Sequence, residues 1–395
     1  MTASQESTRY VLYGAVANKP VPAAPTTKER VKQLLDRLAF RLGYKGRLNY
    51  KNYAAPCTYN RGDHSIIVAT AQHLRQLDPL ANIATVNWED WGAIDLRNTD
   101  KVLVCGSGYF FPNADGLFPK RLHQDLQAIE RSRAELHFLG VGYNYLLDWR
   151  PSRESRLPQK SVDLLQRLLA SAVTLTVRDD NTRQFLSRYT NRDIAVIGDP
   201  ALFLEAPAPA NNDHPKGAKP KIGINIPFHG YEPTEWIKKY LGEFVATLKK
   251  LQQATNGEFT YFVHYDSEVL VAALMQDQGL SLSVANTDAA HLPAEYAKMD
   301  LHIGGMLHSC IIATAAGTPS IGLAYDEKHF GFFDLMGRSE YCLRANPFNA
   351  AQLLQGAVDL LKDTPNERRK IAQRRGALEL LLLQTLRQIM ATKST

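Results

Sequence analysis

Residues 205–220 read EAPAPANNDHPKGAKP, and this run decides how the 395-residue chain divides. Alternating Pro and Ala followed by Asn, Asp and Gly supports neither a helix nor an interior strand, because proline lacks an N–H and fixes φ. The run predicts a linker over 206–220 between an N-terminal unit, 1–205, and a C-terminal unit, 221–395. Working outward, short apolar runs alternate with helix-period segments on both sides. Ahead of the linker, strands are expected at 10–16, 101–105, 136–141, 173–177 and 194–197. One helix is capped by Thr26 and Glu29 and carries Val31, Leu34, Leu35, Leu38 and Leu42 on one face; another covers 63–77. After the linker come strands at 221–226, 259–264 and 319–323, with helices over 233–253, 267–278 and 308–316. Short β-branched runs separated by helices are the pattern of buried parallel strands. The expected fold class is α/β: two doubly wound domains facing a cleft, with ligands at the carboxyl ends of the strands.

Composition narrows the function. The 46 Lys+Arg against 40 Asp+Glu leave +6, and 45% hydrophobic with 22% charged residues excludes wholesale disorder. Cys57, Cys105, Cys310 and Cys342 are widely spaced, which argues against a zinc site and a disulfide framework and fits a reducing compartment. Residues 1–11 are polar, unlike a signal peptide, and the apolar segment 377–383 is too short to cross a bilayer. A cytoplasmic protein is expected, at most docked peripherally on the inner face of the membrane. The positive excess suits a phosphorylated substrate or anionic lipid; without a zinc finger or RNA-binding signature, no nucleic acid is expected as partner.

The candidate chemistry lies just after strands. Gly106-Ser107-Gly108 presents free backbone N–H groups to an anion, or is simply a tight turn. Asn60-Arg61-Gly62-Asp63 opens a helix with Asp63 placed to cap it, and Arg178-Asp179-Asp180 opens another. His308 stands at a helix start after Gly304-Gly305, where a proton donor and the helix's positive end can face one ligand. A capped structural histidine would look the same, and so would His264 at the end of its strand.

In order along the chain, Asn60-x-Gly62-Asp63, Gly106 to Gly108, Phe138-Leu-Gly140-Val-Gly142, Val177-Arg178-Asp179 and Asp199-Pro200-Ala201 form a series. It continues with Gly223-Ile-Asn225, Val263-His264 ahead of Asp266, Leu307-His308, Gly317-Thr-Pro319, Tyr325-x-x-Lys328 and Leu335-Met-Gly337. With these motifs the sequence resembles the polysaccharide pyruvyl transferase family from about Asn60 to Gly337. The resemblance implies two Rossmann-like domains in the glycosyltransferase-B-like arrangement. It also implies transfer of pyruvate from phosphoenolpyruvate to a sugar of a surface polysaccharide or its lipid-linked precursor, forming a cyclic ketal. The reaction needs cations for a phosphate and a carboxylate, an acid for the methylene carbon and a base for the attacking hydroxyls. The family reading makes His308 catalytic and puts Arg178, Lys328, Leu307, Gly305 and Arg338 on the donor side. Asn60, Asp63, Gly106, Ser107, Gly108, His264 and Tyr325 fall on the acceptor side or in the cleft. No metal and no cofactor are implied; phosphoenolpyruvate is a co-substrate.

One departure matters. Where the family has Arg-Leu-His, this chain has Met306-Leu307-His308. Losing a cation at an anion contact costs about 1.5–3 kcal/mol, so Arg338 or Arg61 is expected to take the vacated place. The departure also leaves open a glycosyltransferase using a nucleotide sugar, or a non-catalytic glycan-binding relative. The basic tail 367–393, with Leu378 and Leu380 to Leu383, either sits on anionic lipid or packs its leucines on the body.

Overall fold

The computed structural model describes residues 8–14, 26–53, 60–88, 90, 94–144, 147, 156–207 and 219–392. Two six-stranded sheets form, and all ten strand pairings in them are parallel. The first contains β1 (Arg9–Gly14), β2 (Asn82–Asn87), β3 (Lys101–Cys105), β4 (Glu135–Val141), β5 (Ala172–Val177) and β6 (Ala195–Val196), in the order β2-β1-β3-β4-β5-β6. The second contains β7 (Lys221–Asn225), β8 (Glu258–Phe262), β9 (Leu282–Ala285), β10 (Leu301–Gly304), β11 (Ser320–Ala324) and β12 (Cys342–Arg344), in the order β12-β11-β10-β7-β8-β9. Both orders reverse once, between β1 and β3 in the first sheet and between β7 and β10 in the second. Such reversals open a crevice at the carboxyl ends of the strands, where doubly wound folds bind ligands. This is the two-domain Rossmann-like class expected from the sequence.

Helices cover both sheets. They are α1 (Thr27–Arg41), α2 (Arg61–Leu77), α3 (Lys120–Ser132), α4 (Gln159–Ser171), α5 (Asp180–Leu186) and α6 (Tyr231–Thr255), then α7 (Val269–Asp277), α8 (Leu292–Tyr296), α9 (Leu307–Ala315), α10 (Glu327–Leu335), α11 (Ala350–Lys362) and α12 (Thr364–Ala391). The capping box of Thr26 and Glu29 at α1 is present as read. Most of the 205–220 run lies outside the described residues, as do Cys57 and the end of the first expected strand.

A cut at 206–220 separates the sheets but does not describe the packing. Phe40 of α1 and Leu48 after it belong to the core of the second sheet, together with Ile237, Leu274 and Met275. Conversely, Leu378, Leu382, Leu386 and Ile389 of α12 are buried against Tyr10, Leu12 and Ile66 beside the first sheet. The Lys101 ammonium caps this helix by donating to the carbonyls of Ile389 and Thr392, 2.6 Å each. The arginines of α12 bind carbonyls of the body: Arg368 to Met299 (2.8 Å), Arg374 to Leu335 (2.6 Å) and Arg375 to Leu202 (3.1 Å). Of the leucines on which the two readings of the tail turned, Leu378 and Leu382 pack on the body, while Leu380 and Leu381 stay exposed. The halves also share apolar surface directly, with Ile66, Leu202 and Phe203 against Leu307, Cys310 and Ile311.

Candidate active site

At the edge of that shared surface, the carboxyl ends of the two sheets enclose a cavity of about 320 Å³. Asn60, Asp63, Ser107, Gly108 and Arg178 line it from the first half, and Met306, Leu307, His308, Tyr325 and Lys328 from the second. Five motifs far apart in sequence thus meet because each follows a strand or opens a helix at the carboxyl ends of the two sheets.

The N-terminus of α2 shows how one group becomes available. Asn60, not Asp63, is the cap: its side-chain oxygen accepts from the N–H groups of Gly62 (3.0 Å) and Asp63 (3.3 Å). Asp63 therefore keeps its carboxylate for the cavity, steadied by the Asn60 amide at 2.5 Å. Its Oδ1 lies 3.5 Å from Nδ1 of His308, while Nε2 of the same ring lies 3.6 Å from Oδ2 of Asp199. The imidazole is held between two carboxylates at ion-pair distance, at or slightly beyond hydrogen-bond length. Removal from water pushes the Asp63 pKa up; His308, Lys328 and Arg178 pull it down and Asp199 adds to the rise.

Space is as restrictive as charge here. A Cβ on Gly62 would stand 2.4 Å from Cβ of His308, so α2 approaches the histidine only because residue 62 has no side chain. Gly142 does the same for Arg178, whose guanidinium carbon would lie 2.2 Å from an added Cβ. Arg178 donates to Asp179 (3.0 Å), to the Asn144 side chain (2.8 Å) and to the Tyr143 carbonyl (3.2 Å), leaving a fixed, buried cation at the cavity wall. Lys328 enters from the first turn of α10, whose cap is Asp326. Burial works against its charge, but Tyr325, Asp326 and Asp63 outweigh that and hold its pKa above the ordinary value. The first turn of α9, capped at Met306, adds N–H groups of the kind a helix end leaves unmet. Behind it, Asn225 accepts from the Met306 N–H (3.2 Å) and donates to buried Glu268 (3.0 Å).

Several expectations need correction. Arg338 does not reach the cavity; it is buried against Glu367 and Tyr341. Arg61 points away too, donating to the Thr287 carbonyl (2.6 Å), Asn286 (2.7 Å) and Asp266 (3.0 Å), so it ties α2 to the second half. Neither replaces the arginine that Met306 displaces, and the positive charge at the cavity comes from Arg178 and Lys328. His264 lies in the core rather than the cleft: its Nε2 meets the Tyr296 hydroxyl at 2.8 Å, and burial drives its pKa well down. Gly106 packs under Ile66 and Pro200, and Gly305 lines a neighbouring cavity instead.

The sequence reading missed Asp199 as a partner of His308, having noted only its Asp-Pro-Ala motif. It also missed Asn144, and His229 and Tyr265, whose rings stack 4.7 Å apart on the cavity wall. All lie just beyond strand ends, and that position was the available signal. The neighbouring cavity, about 380 Å³, shares Pro227 and Tyr325 with the first and is walled by Tyr231, Trp236 and Tyr240, with Glu232 and Glu235 at hand. Among the described residues, no cluster of His, Cys, Asp and Glu could hold a metal ion, and no helix is long and apolar enough to cross a membrane.

No curated protein matches the chain. Among solved structures, it is similar to a glycosyltransferase from Rickettsia africae (12% identity, TM-score 0.47, covering 98% of this chain and 100% of that one). It is also similar to an α,α-trehalose 6-phosphate synthase from Burkholderia multivorans (13%, 0.47, 98% and 97%) and a UDP-GlcNAc 2-epimerase from Methanocaldococcus jannaschii (9%, 0.44, 90% and 92%). The architecture itself rests on the two sheets. The sequence model of the polysaccharide pyruvyl transferases matches residues 60–327, a span that holds Asp63, Arg178, Asp199 and His308, and the chain belongs to that family.

Proposed function

We propose that this protein transfers the pyruvyl group of phosphoenolpyruvate to two hydroxyls of one sugar in a surface polysaccharide or its lipid-linked precursor, forming a cyclic ketal. The observation that carries this reading is one cavity holding two cations, buried Arg178 and partly buried Lys328, beside a histidine set between two carboxylates. Phosphoenolpyruvate brings a carboxylate and a phosphate, and two cations match two anionic groups. Both sugar oxygens bond to the enol carbon while its C–O bond to phosphate breaks. One hydroxyl proton ends on the methylene carbon, which becomes the methyl group, and the other leaves with phosphate. His308 delivers the proton to carbon, and Asp63 and Asp199 take up protons from the hydroxyls through or beside it. The aromatic cavity next door suits a sugar, whose apolar faces stack on rings such as Trp236 while carboxylates accept from its hydroxyls.

Met306 and the aromatic cavity also suit a nucleotide sugar, and one experiment separates the two donors. A ligand that binds only the folded state stabilises it, by about 2.7 kcal/mol at a hundredfold excess over Kd. Phosphoenolpyruvate should raise the melting temperature and UDP-sugars should not. Arg178→Ala and Lys328→Ala should lose the shift, and His308→Ala should keep it while releasing no phosphate. A shift with UDP-sugars alone would replace this reading with glycosyl transfer, and no shift with either would leave a glycan-binding protein.

A further inference from the structure

One amphipathic helix turns its apolar face outward. In α1, Val31, Leu34, Leu35, Leu38 and Leu42 follow helical spacing and form one stripe, yet all five are between 44% and 74% exposed, with Tyr44 at 70% just beyond. The body is met instead by Asp36 and Phe40. Arg37 fixes the helix from the side by two hydrogen bonds to Asp277 of α7, at 2.5 and 2.7 Å. A contiguous apolar stripe of this kind on a surface marks an interaction site.

Charge says what it meets. Residues 27–53 contain eight Lys and Arg against two acids, a net +6 in 27 residues that equals the whole chain's excess. At 3.6 residues per turn, Lys28 and Lys32 fall along one flank of the stripe and Arg30 and Arg41 along the other. A second copy seated on this face would bring +6 against +6. An anionic bilayer complements both parts: the stripe enters the acyl boundary and the flanking cations meet the headgroups.

We propose that α1 docks the protein on an anionic lipid surface, stripe downward. The basic tail, α12, is less suited to this part: Arg368, Arg374 and Arg375 hold body carbonyls and four of its apolar side chains are buried, which leaves only Leu380 and Leu381 as large apolar side chains well exposed on it. The segment after α1 runs directly to the cavity wall: Tyr53 packs on Phe228 with centroids 5.7 Å apart, and Tyr50 on His229 at 6.1 Å. Docking therefore holds the site next to the membrane, where a lipid-carried sugar would be presented. The docking itself does not depend on which donor the cavity takes.

Vesicle flotation of the full chain tests it, with phosphatidylcholine alone and with one third phosphatidylglycerol. Binding is expected to the mixed vesicles only and to weaken as salt rises. Leu34→Glu/Leu38→Glu and, separately, Lys28→Glu/Arg30→Glu/Arg41→Glu should each reduce it by about tenfold or more. These side chains are exposed, so both variants should melt like the wild type; Leu34→Gln/Leu38→Gln serves if the first does not. Absence of binding to mixed vesicles, equal binding to both compositions, or full binding by a well-folded stripe variant would overturn the proposal. So would a wild-type dimer in sedimentation equilibrium that the stripe variant dissociates, since a second copy would then cover the face.

Discussion

At position 62 a single missing methyl group sets the distance between a helix terminus and a histidine. Alanine is the better helix former there by about 1 kcal/mol, so Gly62→Ala should not melt early for lack of propensity. Its Cβ must nevertheless displace His308. Turnover is expected to fall by about a hundredfold or more, as for a misplaced catalytic group. The melting temperature should drop as well, because the clash is with the root of a side chain fixed to α9, an overpacking that costs about 1–3 kcal/mol. Full activity in this variant would show that His308 need not stand between Asp63 and Asp199. The motif was legible as a helix opening, but its chemistry was not. Asn60 and Asp63 are both competent caps, and only the geometry shows that Asn60 takes that role and leaves the carboxylate for the cavity.

Among the elements, those read correctly were short apolar runs rich in Val, Ile and Leu, such as β3 and β5. The central strand β10 was missed because it is only four residues long, Leu301-His302-Ile303-Gly304, and offers two apolar side chains. The His302 ring is tolerated since Ser309 on α9 meets its Nε2 at 2.9 Å and burial lowers its pKa to about 3, keeping it neutral. No local pattern could announce a partner supplied by the following helix. The α1 stripe was read from its spacing, but spacing does not say which way a stripe faces. Glu268, packed behind α9, makes a testable case of a hidden partner. Burial pushes its pKa from 4.5 to about 8, against hydrogen bonds from the His264 N–H and Asn225. Between those values the folded protein keeps a proton that the unfolded chain has released, so stability falls as pH rises through that window, by at most about 1.4 kcal/mol per pH unit. Glu268→Gln carries no such proton and should show a flatter melting profile between pH 5 and 8, with its advantage over wild type growing toward pH 8. Parallel profiles for the two proteins would show that Glu268 is already ionised in the fold.

At the scale of the whole molecule, the proline-rich run lies between the last strand of one sheet and the first of the other, while the packing crosses it twice. Amino-acid pattern marks where a chain changes direction; it does not mark which distant sheet supplies the core for α1 or α12. The four apolar side chains that α12 buries beside the first sheet contribute roughly 6–12 kcal/mol before entropy, at about 1.5–3 each. The α1 segment repays the exchange by placing Phe40 and Leu48 in the core of the second sheet. Each half thus carries part of the other, like two links of a chain. A backbone cut inserted between residues 205 and 220 should leave a nicked protein that migrates as one particle under native conditions. Two separately expressed fragments, 1–207 and 219–395, should each aggregate alone and regain the assembled form, with the assembled form's melting transition, only when refolded together. This makes the protein a candidate for fragment complementation, in which joining the pieces reads out as recovery of the site. If either fragment folds alone to a stable monomer, the exchange of helices is dispensable.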